Sequence, residues 1–355
     1  MKTSVIPIFI PHIGCPYRCV FCNQWQITGH RGVPDAADVQ HSIDTYTAGV
    51  TEPRHWEVAF YGGSFTAIPT TLQEQLLQPA YEALATGHIQ AVRCSTRPDF
   101  ITQPILDRLR SFGMTIVELG VQSMDDRVLE LAKRGHTAAH VLEATALLRA
   151  NHFTVGHQLM PGLPGENWDS LKQTTTAVCR LHPDMARIYP VAVLDHTELA
   201  DMYRAGRYKA LTVHEGVERA AYMKQAFLEH TIQCIRTGLQ ATKDLDDSTQ
   251  VLAGAYAPAM GELVDTRRYG QQLFALLDIL EKEPIMISYH RRDTSRVRGY
   301  RNVTLIGAGR RYGNQLQWRE DSTVMPGCIQ IGTASQGRYE IYTDMRMIKK
   351  IECST

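Results

Sequence analysis

Residues 15–22 have the sequence CPYRCVFC and lie just after a short apolar, β-branched run at residues 5–10. The three thiols, separated by three and then two residues, can bind one inorganic cluster or one metal ion. Structural zinc sites and ferredoxin clusters use four protein ligands, yet no further cysteine occurs before Cys94. A [4Fe–4S] cluster bound by three cysteines keeps one iron open to a small molecule with an amine and a carboxylate. The stretch therefore predicts a site for chemistry rather than for electron storage.

Two other interpretations of this stretch remain open from its residues alone. A zinc ion could bind the three cysteines with His12 as a fourth ligand. A lipoprotein signal could end at Gly14, before Cys15. Its apolar run, however, is only about six residues long and is interrupted by Pro7 and Pro11, whereas such signals need roughly 7–15 apolar residues. The pattern therefore favours a cluster or metal site over a signal.

The composition predicts a cytoplasmic protein with a large core. A chain of 355 residues can form one large domain and a smaller one. Lys+Arg 37 and Asp+Glu 37 balance, so no global field attracts the protein to nucleic acid or to a membrane. We find no apolar run long enough to span a bilayer. The 8 cysteines do not have the spacing of a disulfide framework, and with no secretory signal a reducing cytosol is the expected setting.

Strands and helices are predicted to alternate up to residue 189, in six strand–helix units. The predicted strands are residues 5–10, 56–61, 91–95, 115–120, 153–159 and 185–189. The predicted helices are residues 36–48, 70–84, 104–112, 125–133, 138–150 and 168–181. Alternation indicates a parallel sheet, and six units are too few for an eightfold barrel. The fold class is therefore α/β, an open, partial (β/α)6 TIM-like barrel.

The notable motifs follow the carboxyl ends of the predicted strands, where parallel folds place their sites. After residue 190 the alternation weakens, with helices predicted at 199–208, 214–230 and 271–281 and a strand at 234–236. From about residue 284 the chain is predicted to form a small α+β module. We therefore divide the chain into a barrel at residues 1–240 and a C-terminal extension at residues 241–355.

Several motifs together resemble the radical S-adenosylmethionine (SAM) superfamily. They are the cysteine stretch with Phe21 before its third cysteine, FYGGSFT at residues 60–66, LGVQS at 119–123, KRGH at 133–136 and residues 157–164. The subgroup that they resemble contains the oxygen-independent coproporphyrinogen oxidases and the catalytic subunit of Elongator. STRPD at 95–99, IYP at 188–190, RTGLQ at 236–240 and residues 258–264 are similar to the Elongator branch. The resemblance covers about residues 5–270.

Two features depart from the Elongator pattern. The Elongator subunit has a longer gap between its first two cysteines, whereas Cys15 and Cys19 keep the general superfamily spacing. Elongator subunits also continue into an acetyltransferase domain, for which we expect no room in this chain. The resemblance therefore implies radical chemistry more strongly than acetyl transfer.

The resemblance implies a role for each matching residue. Cys15, Cys19 and Cys22 would bind the [4Fe–4S] cluster, and the backbone around Gly62, Gly63 and Ser64 would meet the SAM amine. The remaining SAM contacts would be Phe21 beside the adenine, Gln122 and Gln158 at the ribose, Arg134 at the carboxylate, and Ser95, where the oxidases have a carboxylate. With an electron from a reductant such as flavodoxin or ferredoxin, SAM would yield methionine and a 5′-deoxyadenosyl radical that abstracts hydrogen from the substrate.

From the residues alone, four of these positions have ordinary alternatives. Gly62 and Gly63 let a backbone approach a ligand closely but also suit a βα turn. Arg134 could be a solvated cation at a helix end, and Phe21 could cover the cluster. We expect Cys94 and Cys179 to be buried in the core. His157 is predicted to be a core or pocket residue rather than a metal ligand.

The tail has a charge that the whole chain lacks. Between residues 284 and 319, eight arginines and Asp293 give a local charge of +7, and aromatic residues are interleaved with them. The arginines are Arg291, Arg292, Arg296, Arg298, Arg301, Arg310, Arg311 and Arg319. Arginine with aromatics is typical of surfaces that bind phosphates and unstacked bases, although a solvated basic face has the same composition.

Three functions remain open at this level. The first is a radical SAM enzyme that modifies RNA, with tRNA as the leading substrate and Arg291, Arg292, Arg296 and Arg298 as contacts. The second is a radical SAM enzyme acting on a small molecule such as a porphyrinogen. The third is an iron–sulfur or haem carrier without radical chemistry.

Overall fold

The computed structural model describes residues 2–10, 13–23, 32–240, 245, 250–278, 280, 285–333, 337–342 and 347–351. Up to residue 278 the strands are β1 (Lys2–Ile10), β2 (Arg54–Gly62), β3 (Ala91–Thr96), β4 (Met114–Gln122), β5 (Thr154–Leu159), β6 (Met185–Ile188), β7 (Ala192–Leu194), β8 (Gln233–Thr237) and β9 (Val251–Gly254). The helices are α1 (Ala36–Thr47), α2 (Thr70–Ala85), α3 (Gln103–Ser111), α4 (Asp126–Leu131), α5 (Ala138–Ala150), α6 (Trp168–Leu181), α7 (Glu198–Arg204), α8 (Val213–Glu229) and α9 (Met260–Leu277).

A parallel sheet in the order β1-β2-β3-β4-β5-β6-β8 forms the main body. Its first six strands, with helices between them, confirm the predicted α/β partial barrel. The sheet has seven strands rather than the six of the predicted strand–helix units, because the strand predicted at residues 234–236 is β8, which pairs in parallel with β6. The physical reason is α8, which a capping box of Thr212 and Glu215 begins, and which returns the chain to the sheet as a crossover helix does.

The two faces of this sheet differ in chemistry. On one face Ile6, Val58, Val92, Val117 and Val155 are fully buried in the main core beneath the helices. Strand residues alternate between faces, so their neighbours point to the opposite face, which is the inner wall of the partial barrel. That inner wall carries charged and polar side chains. The helices therefore stabilise one side of the sheet and leave the other available for a site.

The rest of the chain forms a second sheet with its own core. Its strands are β10 (Ile285–Tyr289), β11 (Leu316–Glu320), β12 (Cys328–Thr333), β13 (Gly337–Tyr342) and β14 (Met347–Ile351), and its helices are α10 (Thr294–Arg298) and α11 (Val303–Tyr312). The order is β11-β10-β12-β13-β14, in which only the β10–β11 pair is parallel. The second core includes Leu273 and Leu276 of α9 with Ile287 and Ile331 of the sheet, as expected for an α+β module.

Two predicted helices have the wrong bounds. Helix α9 begins at Met260, not at residue 271, because its charged first half is buried: Arg268 is 2% exposed and pairs with Asp265 at 3.1 Å. Helix α7 ends at Arg204 rather than residue 208, since Gly206 has a positive φ of 69° that stops the helix.

The predictions for the core residues are confirmed. Cys94 and Cys179 are buried in the main core, and His157 is 1% exposed with its Nε2 atom 3.0 Å from the Thr145 hydroxyl. Burial lowers the pKa of His157 to about 3, so its imidazole is neutral. Cys353 lies outside the described residues. Across the described part of the chain, no helix has the length and apolar character needed to cross a membrane.

Candidate radical SAM site

The loop that carries the three cysteines is anchored by segments distant in sequence. The Val20 amide donates to the Ala132 carbonyl at 3.2 Å, and the Leu199 amide donates to the Val20 carbonyl at 2.7 Å. Val20 is 1% exposed, and Phe21 packs against the same small core, which includes Leu163. The region after α4 and the start of α7 therefore position the loop against the barrel.

The cysteines themselves are partly exposed, and none of the seven described cysteines forms a disulfide. Burial raises the pKa of the Cys15 thiol, and Cys19 adds to this rise. The guanidinium groups of Arg134 and Arg97 and a hydrogen bond from the Ser64 backbone act in the opposite direction. A partly buried thiolate set of this kind is stabilised by bound iron, so the donor set fits an iron–sulfur cluster.

A single metal ion is less well matched. Within the described ranges, no group of three His, Cys, Asp or Glu side chains is arranged to hold one metal ion. The zinc interpretation also depends on His12, which lies outside the described residues. A four-iron cluster differs because each cysteine binds a different iron atom, so the three sulfurs need not converge on one point.

Arg134 joins the cysteine loop to the end of β4. Its Nη1 atom lies 3.1 Å from the Cys19 sulfur, and its Nη2 atom donates to the Gly120 carbonyl at 2.7 Å. The residue is 7% exposed, so its interpretation as a solvated cation at a helix end is wrong. Its Nε atom is buried and has no hydrogen-bond partner in the described part of the chain, which leaves one donor for a bound anion.

Gly62, the last residue of β2, and Gly63, which follows it, pack against the chain that enters the cysteine loop. The Gly63 amide donates to the Ile10 carbonyl at 2.8 Å. A Cβ atom on Gly63 would lie 2.0 Å from the Ile13 carbonyl oxygen, so only glycine allows this approach. The buried Ser64 hydroxyl bonds to the Thr96 hydroxyl at 2.8 Å and accepts the Arg97 amide at 3.3 Å. The side-chain hydroxyl of Ser64 is therefore already engaged in hydrogen bonds within the protein.

Gln122 has an unusual backbone and an unsatisfied side chain. Its φ is 65°, and the β4–β5 register shifts just before it. Its Oε1 atom is buried and lacks a hydrogen-bond partner among the described residues. Left-handed backbone at a non-glycine residue and an orphaned acceptor are both typical of ligand sites. A Cβ on Gly120 would lie 3.0 Å from Gln122 Nε2 and 3.2 Å from Arg134 Nη2, so the two side chains meet over this glycine.

Ser95 and Gln158 lie on the inner wall at the ends of β3 and β5. Ser95 shares its face with Arg93, and Gln158 shares its face with Gly156, whose added Cβ would lie 2.9 Å from Glu118 Cγ. Both are half-buried. The structure therefore brings Gln122 and Arg134 together at one point and keeps Ser95 and Gln158 on the neighbouring wall.

Sequence reasoning missed an ionic network across this wall. Arg93 on β3 lies 2.6 Å from Glu57 and 2.8 Å from Glu118. Glu118 also pairs with Arg187 on β6 through a 2.5 Å contact between Nε and Oε2. Arg187 in turn contacts Tyr61, with 2.5 Å between Nη2 and the phenol oxygen. The sequence did contain a signal for this network. Each of four apolar strands carries a charged residue in its interior, and an unpaired charge buried in a strand would be costly.

Two residues beside the loop were also missed as site residues. Arg97 stacks over Tyr17, with 5.0 Å from Cζ to the ring centroid, and its Nη1 atom has no partner within the described ranges. Burial, with the nearby Arg134 and Arg97 charges, lowers the pKa of His136 to about 2, so its imidazole is neutral. A surface cavity of about 690 Å³ opens here between Tyr17 and Lys133. Arg97 and His136 both lie in motifs that were used above only as evidence of family resemblance, without a role for either residue.

The arginines of the tail differ in their surroundings. Arg298 donates to the buried Tyr289 hydroxyl at 2.6 Å, and Arg296 lies 3.6 Å from the buried Asp293. Arg291 and Arg292 are exposed. Arg296 and Arg298 are therefore partly buried and paired within the second module, whereas Arg291 and Arg292 are the more exposed.

Comparison with known families agrees with this geometry. Residues 9–178 match the radical SAM superfamily, and residues 183–269 match the C-terminal domain of radical SAM proteins. The chain belongs to the radical SAM superfamily. It is a radical SAM enzyme, and members of this superfamily use a [4Fe–4S] cluster and SAM.

The relatives of this radical SAM chain include tRNA-modifying proteins. The tRNA uridine(34) acetyltransferase of Methanocaldococcus jannaschii is 29% identical over 228 residues, which are 59% of this chain and 41% of that protein. Human Elongator complex protein 3 is 28% identical over 215 residues, 55% of this chain and 37% of that protein. The chain thus spans less than half the length of these relatives.

A solved structure shows the same fold. The archaeal Methanocaldococcus infernus Elp3, solved with an N-terminal deletion, superposes with a TM-score of 0.60 at 23% identity, covering 77% of this chain and 64% of that one.

Proposed function

We propose that this enzyme binds a [4Fe–4S] cluster through Cys15, Cys19 and Cys22 and modifies an RNA, with tRNA as the first candidate. The observation that carries this proposal is the position of Arg134, which contacts the Cys19 sulfur and the end of β4 at once. Arg134 thereby connects the cysteine loop to the carboxyl ends of the strands, where parallel folds bind substrates.

The residues around the loop suit SAM. The backbone of Gly62, Gly63 and Ser64 would meet its amine, and the free Nε donor of Arg134 would meet its carboxylate. The orphaned Gln122 oxygen is an acceptor for a ribose hydroxyl, with Gln158 and Ser95 on the adjacent wall and Phe21 beside the adenine. With an electron from flavodoxin or ferredoxin, these cofactors supply a 5′-deoxyadenosyl radical that removes hydrogen from the substrate.

Two observations favour RNA as the substrate. The similar proteins from Methanocaldococcus jannaschii and Methanocaldococcus infernus are named tRNA uridine(34) acetyltransferases. The tail has four exposed arginines, Arg291, Arg292, Arg301 and Arg310, and an exposed Tyr300, whose ring centroid lies 5.3 Å from the guanidinium carbon of Arg301. An aromatic ring beside a cation suits a stacked base and its phosphates. The inner-wall arginines, in contrast, are neutralised by Glu57 and Glu118, so they offer no pocket for the carboxylates of a porphyrinogen.

We also propose two structural units, a barrel at residues 1–240 and an extension at residues 241–355. The separate second core supports this division. Helix α9 contributes Met260 and Val264 to the first core and Leu273 to the second, so it would couple RNA binding on the extension to the barrel.

The deciding experiment is anaerobic. The purified protein is reconstituted with iron and sulfide, mixed with dithionite and SAM, and analysed for 5′-deoxyadenosine with and without bulk tRNA. We expect product formation that rises with tRNA and is abolished in Cys19→Ala, which should also lose its iron–sulfur absorbance. Cys234→Ala removes a thiol outside the loop and should retain both. A full [4Fe–4S] spectrum in Cys19→Ala would refute the ligand assignment.

The RNA surface needs its own test. Replacing Arg291, Arg292, Arg301 and Arg310 with Gln should weaken tRNA binding and reduce the slope of log K against log salt by about one per lost phosphate contact. Arg296 and Arg298 are left intact, because they contact the buried residues Asp293 and Tyr289. Removing two exposed arginines elsewhere, Arg180 and Arg207, is the control and should leave the slope unchanged. Equal slopes in all variants would place the RNA elsewhere.

A further inference from the structure

Arg187 bridges two tyrosines on the inner wall of the barrel. Its Nη2 atom is 2.5 Å from the Tyr61 phenol oxygen, and its Nη1 atom is 3.1 Å from the Tyr189 phenol oxygen. Its guanidinium carbon also lies 4.9 Å from the centroid of the Tyr61 ring. Tyr61 is the residue before Gly62 at the end of β2, and Tyr189 follows directly after β6. Both phenols thus lie at the carboxyl edge of the sheet.

The guanidinium group of Arg187 is held in place by an ion pair with a buried carboxylate. Glu118, which is 2% exposed, pairs with Arg187 at 2.5 Å and with Arg93 at 2.8 Å. Two arginines and the two carboxylates of Glu57 and Glu118 balance in charge. Arg187 is therefore already neutralised, and its remaining task is to orient the two phenols. A paired guanidinium with a planar fork is well suited to this because its geometry is rigid.

The direction of each hydrogen bond follows from the chemistry of the partners. Arginine has only donors, so both phenol oxygens accept from Arg187. Each phenol hydrogen must then point to another acceptor, and neither hydroxyl has a second hydrogen-bond partner in the described part of the chain. Burial raises the pKa of Tyr61 far above its ordinary value, so its phenol keeps the hydrogen at neutral pH. Tyr61 and Tyr189 are both half-buried, so part of each side chain is accessible.

We propose that Tyr61 and Tyr189 form a subsite in which both phenols donate to one oxo oxygen of the substrate base. Two fixed O–H donors favour a base edge that presents acceptors and disfavour one that presents an amino group, because the phenol hydrogens would face other donors. At position 4, uracil has an oxygen where cytosine has an amino group, so the subsite discriminates between these two bases. This inference rests on the proposed RNA function and adds the residues that select the base.

The test compares two RNA hairpins with identical stems, one with uridines in the loop and one with cytidines. Reconstituted full-length enzyme receives dithionite, SAM and either hairpin, and the rate of 5′-deoxyadenosine formation is measured. The variants are Tyr61→Phe, Tyr189→Phe and the double variant, each of which removes only a hydroxyl. Tyr46→Phe, at a tyrosine that is 45% exposed on α1, is the matched control. Iron content and SAM affinity show that each variant is folded.

We expect the wild type and Tyr46→Phe to be faster with the uridine hairpin. Tyr61→Phe and Tyr189→Phe should each lose up to about tenfold of the uridine-dependent rate, since one neutral hydrogen bond is removed. The cytidine rate should change little, so the uridine-to-cytidine ratio falls towards one. A purely structural effect would lower both rates and keep the ratio.

Three results would overturn the inference. A wild-type enzyme that responds equally to both hairpins, or Phe variants that keep the wild-type ratio, would exclude the subsite while the RNA function stands. No increase with either hairpin or with bulk tRNA would instead refute the RNA function, and the inference with it.

Discussion

Replacing Glu118 with Gln tests whether the inner wall is held by its charges. The carboxylate of Glu118 is 2% exposed and pairs with Arg93 at 2.8 Å and with Arg187 at 2.5 Å. In Glu118→Gln, Arg93 keeps Glu57 at 2.6 Å, whereas Arg187 keeps no ionic partner among the described residues. Removing one partner of a buried pair costs about 3–5 kcal/mol, because a charge is left uncompensated. That is a large part of the roughly 5–15 kcal/mol of a typical domain.

The assay is urea unfolding followed by far-UV circular dichroism, at low and at high salt. We expect Glu118→Gln to lower the free energy of unfolding by the same amount at both salt concentrations, because salt screens buried ion pairs little. The double variant Glu118→Gln/Arg187→Met should lose less free energy of unfolding than the sum of the losses in the two single variants. The difference should be about 0.5–3 kcal/mol, as for residues in contact. Glu143→Gln, at an exposed position on α5, is the control for the change of side chain.

The reasoning fails if Glu118→Gln unfolds within about 1 kcal/mol of wild type, the range of exposed ion pairs. It also fails if the single-variant losses are additive, because then Glu118 and Arg187 would not be coupled.

Two further predictions concern other parts of the barrel. Gly63→Ala places a Cβ 2.0 Å from the Ile13 carbonyl, so we expect a cost of about 1–3 kcal/mol and loss of most of the bound iron in an iron assay. Gly32→Ala, whose Cβ meets no atom of the described residues within 4 Å, should keep its iron, and equal iron in both variants would contradict the packing argument. Burial lowers the pKa of His157 to about 3, below the unfolded value, so the unfolded chain takes up the proton first and stability is lost as pH falls below about 6.5. Between pH 6.5 and 5 this amounts to about 2 kcal/mol, which His157→Leu should remove from the pH dependence of urea unfolding. An unchanged slope would show that His157 has the same pKa in the folded and unfolded states.

Much of the barrel could be predicted because its signals are local. The apolar runs at residues 5–10, 56–61 and 91–95 and the helical periodicity between them identify the strand–helix units directly. Strand β8 was predicted as a strand at residues 234–236 but was not counted among the six strand–helix units, because its partner β6 lies far away in sequence. Helix α9 was predicted too short because Arg268 and Asp265 neutralise each other inside the fold.

The candidate site also combines features that are local in the sequence with features that depend on the tertiary structure. The spacing of Cys15, Cys19 and Cys22 is a property of eight consecutive residues, so the sequence alone determined that these thiols can share a cluster. The alternating apolar pattern likewise determined the parallel α/β fold. The tertiary structure decided that Arg134 meets the Cys19 sulfur, and that Glu118 and Arg187 align Tyr61 with Tyr189. Those contacts join different strands and loops, and their energy depends on burial and on distances that exist only once the sheet has formed.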